Sequence, residues 1–502
     1  MSSSWRCLLV LARRAPCWEG FGTASEPDWT GGPPIGGHPR RARATGPPGR
    51  RGAPCDGRRR SGYNRSGHTA GGTVAARTRR RRRLIAAVLA SAFAVTALAA
   101  CTPSDSPAAD FDQVEGAFDD AVVEQLDATL AEAVRLSGSS GAVAGVWAPW
   151  AGSWTVGTGT VDFADGAARV TTDTRFQLPD GTGQLTCAVM LRLVDAGVVE
   201  LDEPVSEMVN GIPGLDGITL EQLCRNTSGL ADYYGPLRAH FVKNPERIWP
   251  ANELLASGLA AGRKGEPGTS WVESRTGILL LTEALEQRTG RSWADLVDQY
   301  VLEPLELEGT SLPAASDMAY AGALGGYAAS YSGGKPACDA IVDVSRRSSS
   351  IGGTASGART TLADAKAVSE SFATGAMFQE ATARDVWTLN SLGGDAPGWQ
   401  AQGIGAQQFG PLRGVAGESI GALAAMFTDP ETGLTVILAL NNSAGGELLV
   451  REAAFALASI ASKAAPAEGR DLPLVELPWS LEQATQRMTD AAPCPLPAEA
   501  EG

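Results

Sequence analysis

Apolar residues recur at helical spacing through residues 110–136, and the second half of that stretch has no Pro or Gly, which predicts a helix. The next segments, GAVAGVWAP, SWTVGTGTVDF and TTDTRFQL, read as strands separated by glycine-containing turns. Residues 185–199 form a strongly apolar helical run that stops at Gly197. LDEPVSEMV and ITLEQLCRN read as short helices, and residues 275–306 give two more. ALAAMFTDP and LTVILALNN read as paired strands around the turn Asp429-Pro430-Glu431-Thr432-Gly433, followed by a closing helix over 446–463. Strands at both ends with helices between predict an α+β fold: one antiparallel sheet flanked by helices, plus a helical subdomain. This domain is bounded at 117–465, and a Pro-, Ala- and Glu-rich tail over 466–502 carries one amphipathic piece from Leu481 to Met488.

The first hundred residues have a different pattern. Residues 1–73 are rich in Gly, Pro, Arg and Ser with no hydrophobic period, so they cannot bury enough apolar surface to offset the entropy of ordering. They read as an extension that either stays disordered or precedes a true translation start near Val74. Residues 74–100 then have a signal-peptide layout: a basic run through Arg77 and Arg79 to Arg83, an uncharged stretch from Leu84 to Ala100, and small residues before Cys101. Leu98-Ala99-Ala100-Cys101 resembles the bacterial lipobox, whose thiol takes a diacylglyceryl group. The expected partner is therefore the membrane, reached through a lipid on Cys101, with residues 101–116 as tether and the body held outside the cytoplasm. The competing reading, an uncut spanning helix, wants about 20 apolar residues, more than this run supplies.

Charge narrows the function classes. Beyond residue 100 there are 24 Lys and Arg against 52 Asp and Glu. Such a surface repels nucleic acid, so no nucleic-acid partner is expected. The one histidine of the body is His240, expected on a surface helix. A multi-histidine metal site is thereby excluded and a Ser-His-Asp triad made a poor candidate. No Cys pair has zinc-ribbon spacing; neither a metal nor a cofactor is expected.

Five segments, in order, resemble the serine β-lactamase and penicillin-binding-protein family, which includes class C β-lactamases and D-alanyl-D-alanine carboxypeptidases. They are FQLPDGTGQLTCAVMLRLVDAGVVELDEPVSEMV, ITLEQLCRNTSGLADY, GEPGTSWVESRTGILLLTEALEQRTGRSWADLVDQYVLEPLEL, IGGTASGARTTLADAKAV and VAGESIGALAAMFTDPETGLTVILALNNS. The resemblance implies that family's fold and its serine-acylating site. It also implies three motifs: Ser-x-x-Lys at a helix start, Tyr-x-Asn, and Lys- or His-x-Gly on a strand. In the first, a lysine one turn from the serine takes its proton.

This sequence departs from all three. Asp180 stands where the serine is expected and Gly183 where the lysine is expected. Glu273 and Arg275 replace the Tyr and Asn, and Val415 replaces the cationic residue of Val415-Ala416-Gly417. Asn226 precedes Thr227-Ser228-Gly229-Leu230, where the family has His. Ser332-Gly333-Gly334-Lys335 matches Ser-x-x-Lys by letter, but lies in a glycine-rich loop at the wrong place in the order. These groups act as a unit, so acylation is expected to be lost.

Each replacement also has a structural reading. Asp180 after Pro179 suits a helix N-cap, the glycines fit relaxed constraint or a close backbone approach, and Glu273 and Arg275 are placed to pair across the old cleft. The open readings are a filled cleft or a repurposed one, and an acidic cleft favours a cationic ligand over a penicillin carboxylate. The expected role is a binding or scaffolding envelope lipoprotein with a cell-wall or peptide-like ligand. The alternative is an active hydrolase with rearranged acids such as Asp180 and Glu273. With Cys101 assigned to lipid, Cys187, Cys224, Cys338 and Cys494 remain in the body beyond it, allowing three pairings or free thiols. The family places the helices of Cys187 and Cys224 side by side, which implies Cys187–Cys224 and leaves Cys338–Cys494 to pin the tail.

Overall fold

The computed structural model describes Ala109 and residues 111–318, 322–332 and 335–494. The N-terminal extension, the signal-like segment and Cys101 lie outside the described residues.

The first helix, α1 (Asp120–Ser137), starts ten residues later than its periodicity predicts. The chain before it is committed elsewhere: Ser153 N–H donates to Gly116 O at 2.9 Å and Val114 N–H to Pro149 O at 3.0 Å, so residues 114–117 run beside the start of the second strand. α1 stops at Gly138, whose φ of 70° suits glycine. The hairpin β1 (Gly141–Ala148) and β2 (Gly152–Gly159) follows. The segment expected as a third long strand makes only the two-residue β3 (Phe176–Gln177). Helix α2 (Gly181–Asp195) comes next.

The helical part follows: α3 (Val205–Met208), α4 (Leu220–Cys224), α5 (Tyr234–Lys243), α6 (Ala251–Ala260), α7 (Arg275–Thr289) and α8 (Trp293–Val297). His240 is exposed on α5. A hairpin of β4 (Tyr327–Ser332) and β5 (Lys335–Asp343) comes next, with Ser332 and Lys335 paired at its tip in strand rather than at a helix start. Then come α9 (Gly353–Ser356), β6 (Arg359–Thr360), which pairs with β3, α10 (Leu362–Thr374) and α11 (Glu380–Val386). Short strands β7 (Asn390–Ser391), β8 (Gln400–Gln402) and β9 (Gln407–Phe409) lead into the long β10 (Leu412–Ser419), β11 (Ala422–Thr428) and β12 (Thr435–Leu440). Helices α12 (Gly446–Ala461) and α13 (Leu481–Asp490) close the fold.

The main sheet has eight strands in the order β2-β1-β12-β11-β10-β9-β8-β7, antiparallel throughout the paired registers. β1, β11 and β12 are buried along their whole length, which is why they read as unbroken apolar runs rather than alternations. α1, α12 and α13 cover one face, where Phe409, Phe427, Phe455 and Trp479 form an aromatic core. α10 and the helical part cover the other.

Two disulfides staple the layers. Cys187–Cys224 joins α2 to α4, and Cys338–Cys494 joins β5 to the segment after α13. Among the described residues, no helix is long and apolar enough to cross a membrane.

Candidate functional site

The cleft lies where the start of α2, the start of α7 and strand β10 meet. Pairing with β9 ends at Gly414, so Val415 to Glu418 continue β10 past its neighbour. Val415 is half-buried and, with Ala416, lines the cleft.

Asp180 sits immediately before α2 with a φ of 50°, left-handed backbone that a non-glycine residue adopts at some cost, Asp less than most. Contrary to the N-cap expectation, its side chain makes no capping bond to the helix start. The turn instead aims the carboxyl across the cleft at β10 and Arg275. A Cβ on Gly417 would lie 2.6 Å from Asp180 Cγ, so only glycine fits beside this carboxyl. Gly183 is different. A Cβ there would meet Ala355 O at 3.5 Å and Ile278 Cγ1 at 3.6 Å, ordinary contact distances. No close approach demands that glycine.

Arg275 is the hub. It is the first residue of α7, where Ser274 caps the helix by accepting from Gly277 N–H at 3.3 Å. Its Nη2 donates to Asp180 Oδ2 at 3.0 Å, its Nη1 to Asp232 Oδ2 at 3.3 Å, and its backbone N–H to Asp232 Oδ1 at 3.0 Å. Glu273 Oε1 lies 3.5 Å from Nη1, so the expected Glu273–Arg275 pair forms, but as the longest of the three. Nη2 also reaches Glu418 O at 3.3 Å, and the guanidinium stacks on the Tyr234 ring at 4.6 Å. Arg275 is 6% exposed. Asn226, at a φ of 54°, orients the second motif by accepting from Ser274 N–H at 3.1 Å.

Further charges close the ring. Arg238 pairs with Glu418, and Arg451 lies 3.3 Å from Glu447, which stands at the start of α12. Five carboxylates (Asp180, Asp232, Glu273, Glu418, Glu447) thus face three guanidiniums. Burial lifts the Asp180 carboxyl well above its usual range; Arg275 opposes this, and neighbouring carboxylates reinforce it. Burial also raises Glu273, with Arg275 again opposing. Burial works against charge on Arg275, yet Asp180, Glu273 and Asp232 outweigh it and hold the guanidinium protonated. Burial, then repulsion from Glu273, pushes Glu447 up to about 7.

The space is in two adjacent parts. A narrow one of about 80 Å³ holds Asp180, Gly183, Gln184 and Val415, with the Cys187–Cys224 disulfide in its wall. A wider one of about 650 Å³ is lined by Asp232, Tyr234, Arg238, Tyr331 and Glu418. Glu273, Arg275 and Glu447 border both. The structure therefore brings Asp180, Gly183, Glu273, Arg275, Val415, Cys187 and Cys224 together, and places Cys338 and Cys494 elsewhere. Cys101 lies outside the described residues. Among the described residues, no cluster of three carboxylate, His or Cys side chains is arranged to hold a metal. The sequence reading missed Asp232, Glu418, Glu447 and Arg238. Asp232 and Glu418 lie within three residues of quoted motifs, but Glu447 and Arg238 enter only through tertiary packing.

The Beta-lactamase family profile matches residues 120–459, most of the chain. This protein belongs to the beta-lactamase family. Within that family it is 28% identical over 189 residues to a D-aminopeptidase of Gluconobacter oxydans (strain 621H), covering 34% of this chain and 32% of that one. It is 27% identical over 146 residues to the D-alanyl-D-alanine-carboxypeptidase/endopeptidase AmpH of Escherichia coli (strain K12), covering 27% and 36%. The chain thus spans about a third of the length of the curated relatives it matches. Among solved structures, the D-stereospecific amidohydrolase from Streptomyces sp. superposes with a TM-score of 0.58 at 22% identity, over 67% of this chain and 97% of that one. The octameric penicillin-binding protein homologue from Pyrococcus abyssi gives 0.56 at 18% identity, over 67% and 76%. Both share the beta-lactamase fold, an antiparallel sheet with flanking helices and a helical part.

Proposed function

We propose that this beta-lactamase-family protein is a non-acylating receptor of the cell envelope, anchored by lipid at Cys101, that holds a cationic peptide-like ligand in the ancestral cleft. One observation carries the reading: Asp180, at the serine position, is bound to Arg275 of the second motif, and Gly183 supplies no base. A carboxylate locked to a guanidinium is a poor nucleophile, and glycine moves no proton. Carboxyl groups outnumber guanidiniums around both parts of the cleft, and a cation bound there would draw the raised carboxyls of Asp180, Glu273 and Glu447 into their charged forms. Gln184 supports it: the residue is 2% exposed, lines the narrow part, and its amide oxygen has no partner, so a ligand N–H is the complementary group. The relatives named D-aminopeptidase and carboxypeptidase are consistent with a peptide-like ligand.

The test is intact mass after incubation with a reporter penicillin and a fluorophosphonate. No adduct and no turnover is the expected result; a stoichiometric adduct on any serine would overturn the proposal. For the anchor, Cys101→Ser should release the protein from the membrane fraction, and its retention there would refute a lipid at that residue.

A second reading, hydrolysis by rearranged acids, is favoured by Glu447 alone, whose carboxyl titrates near neutrality beside Glu273. Turnover of a D-amino-acid anilide that disappears with Glu447→Gln would establish it.

A further inference from the structure

Farther along α7 from the cleft, toward the C-terminal half of that helix and beside α9, lies another cavity, of about 390 Å³. The two helices are a shared wall. Arg275, Ile278 and Ala355 face the cleft, while Leu279, Thr282 and Gly353 face this second space. The cavity lies in the size range of small-ligand sites, about 300–1,000 Å³. Its walls are mainly apolar, with Leu254, Leu255, Leu279 and Leu312 beside the indoles of Trp249 and Trp293.

Its hydroxyls are committed: Thr282 donates to Thr354 at 2.7 Å, Ser349 donates to Pro313 O at 2.9 Å and Ser350 accepts from Trp249 N–H at 2.9 Å, while Glu286 accepts from Trp293 N–H at 2.6 Å through one carboxylate oxygen. Glu283 and Glu286, one turn apart on α7, line the cavity, and among the described residues no Lys, Arg or His does. Arg247, which stacks on the Trp249 ring at 3.8 Å, is committed to Glu253 through two 2.8 Å bonds. Trp293 donates its indole N–H to Thr186 Oγ1 at 3.0 Å. Trp249, 5% exposed, has an indole N–H with no acceptor, a group whose burial is costly until one arrives.

We infer that this cavity is a second ligand site, for a cationic amphiphile: an aromatic or branched apolar body bearing an acceptor oxygen, with an ammonium group held at Glu283 and Glu286. The apolar walls take the body, the oxygen serves Trp249, and the carboxylates neutralise the charge. A carboxylate-bearing analogue would meet Glu283 and Glu286 with like charge and be rejected.

The test is calorimetric titration of the full chain with para-methoxyphenethylamine, and in parallel with para-methoxyphenylpropanoate, which keeps the ring and ether but reverses the charge. Ala251, exposed at the start of α6, lines the cavity, and Ala251→Trp would plug it from the solvent side without touching the core. The amine should bind saturably, at least about ten-fold more tightly than the propanoate, which corresponds to roughly 1.4 kcal/mol. Ala251→Trp should weaken the amine by about ten-fold or more, Glu283→Gln by about three-fold, and Asp180→Asn not at all. Absence of saturable binding, equal binding of the propanoate, or indifference to both Ala251→Trp and Glu283→Gln would overturn the site. Loss of binding in Asp180→Asn would place the amine in the ancestral cleft instead, and also overturn it.

Discussion

β10 separates two regions built on opposite principles. Behind it, Phe409, Phe427 and Phe455 meet at 5.3–5.4 Å between ring centres, and Phe455 stacks on Trp479 at 4.0 Å. That region is held by apolar burial, which is indifferent to pH. In front, Asp180, Asp232 and Glu273, all partly exposed, converge on one buried guanidinium. Neighbouring residues of one strand serve both: Ala416 packs against the aromatic core and Val415 against the cleft side. The difference teaches that the cleft is not a degraded core. Its charges are stable only together, so it should respond to pH and to the loss of any one partner in ways the aromatic region does not.

The largest effect should come from Arg275→Ala, which strands three partly buried carboxylates. A loss of about 3–5 kcal/mol is expected near pH 8 in urea unfolding, shrinking at lower pH as Asp180 and Glu273, whose carboxyls burial already raises, take up protons. Phe455→Ala should cost a similar amount, about 3–5 kcal/mol, but equally at both pH values. If the two variants showed the same pH dependence, the contrast would fail.

Asp180→Ser should be milder, about 1.5–3 kcal/mol for one charged hydrogen bond. It should still give no fluorophosphonate adduct, because Gly183 leaves any serine there without a base. Labelling of that variant at residue 180 would show that a base reaches the site from elsewhere.

The next effect is a slope. Glu447 has a folded-state pKa of about 7 against an ordinary 4.5, so its contribution to stability is complete below about pH 4.5 and is lost as pH rises through about 7. The wild-type melting temperature should therefore fall between about pH 4.5 and about pH 7 and level off above that, and Glu447→Gln should flatten that fall. An unchanged slope would assign the pH response to other groups. The smallest effect belongs to Ser480→Ala. It removes the capping box of α13 at the periphery, for about 1 kcal/mol at any pH.

Much of this contrast could be read along the chain, for identifiable reasons. The β11–β12 hairpin was legible because strands buried on both faces leave continuous apolar runs, and the helix after it was legible from its apolar pattern; the aromatic cluster they build was not read. The cleft's position was legible because Asp180, Gly183, Glu273, Arg275 and Val415 stand in place of known motifs. The electrostatics were not. Glu447 and Arg238 lie far along the chain from Arg275 and meet it only through folding. Helix α5 was anticipated only through His240, and α6 and the β4–β5 hairpin escaped, since short elements rich in Gly, Pro and small residues carry little periodicity. The start of α1 was misjudged because backbone bonds to Pro149 and Ser153 outweighed local helix preference.

The link between Cys338 and Cys494 also has a topological consequence. It closes residues 338–494 into a covalent ring that contains β10, β11, β12, α12 and α13. The stretch between α12 and α13 is the ring's accessible arc, with Leu472 52% and Leu474 80% exposed. A protease cutting there opens the ring but releases nothing: the two pieces stay joined through the sulfurs and run as one species until a reductant is added. The enclosed strands are thereby insured against a single nick.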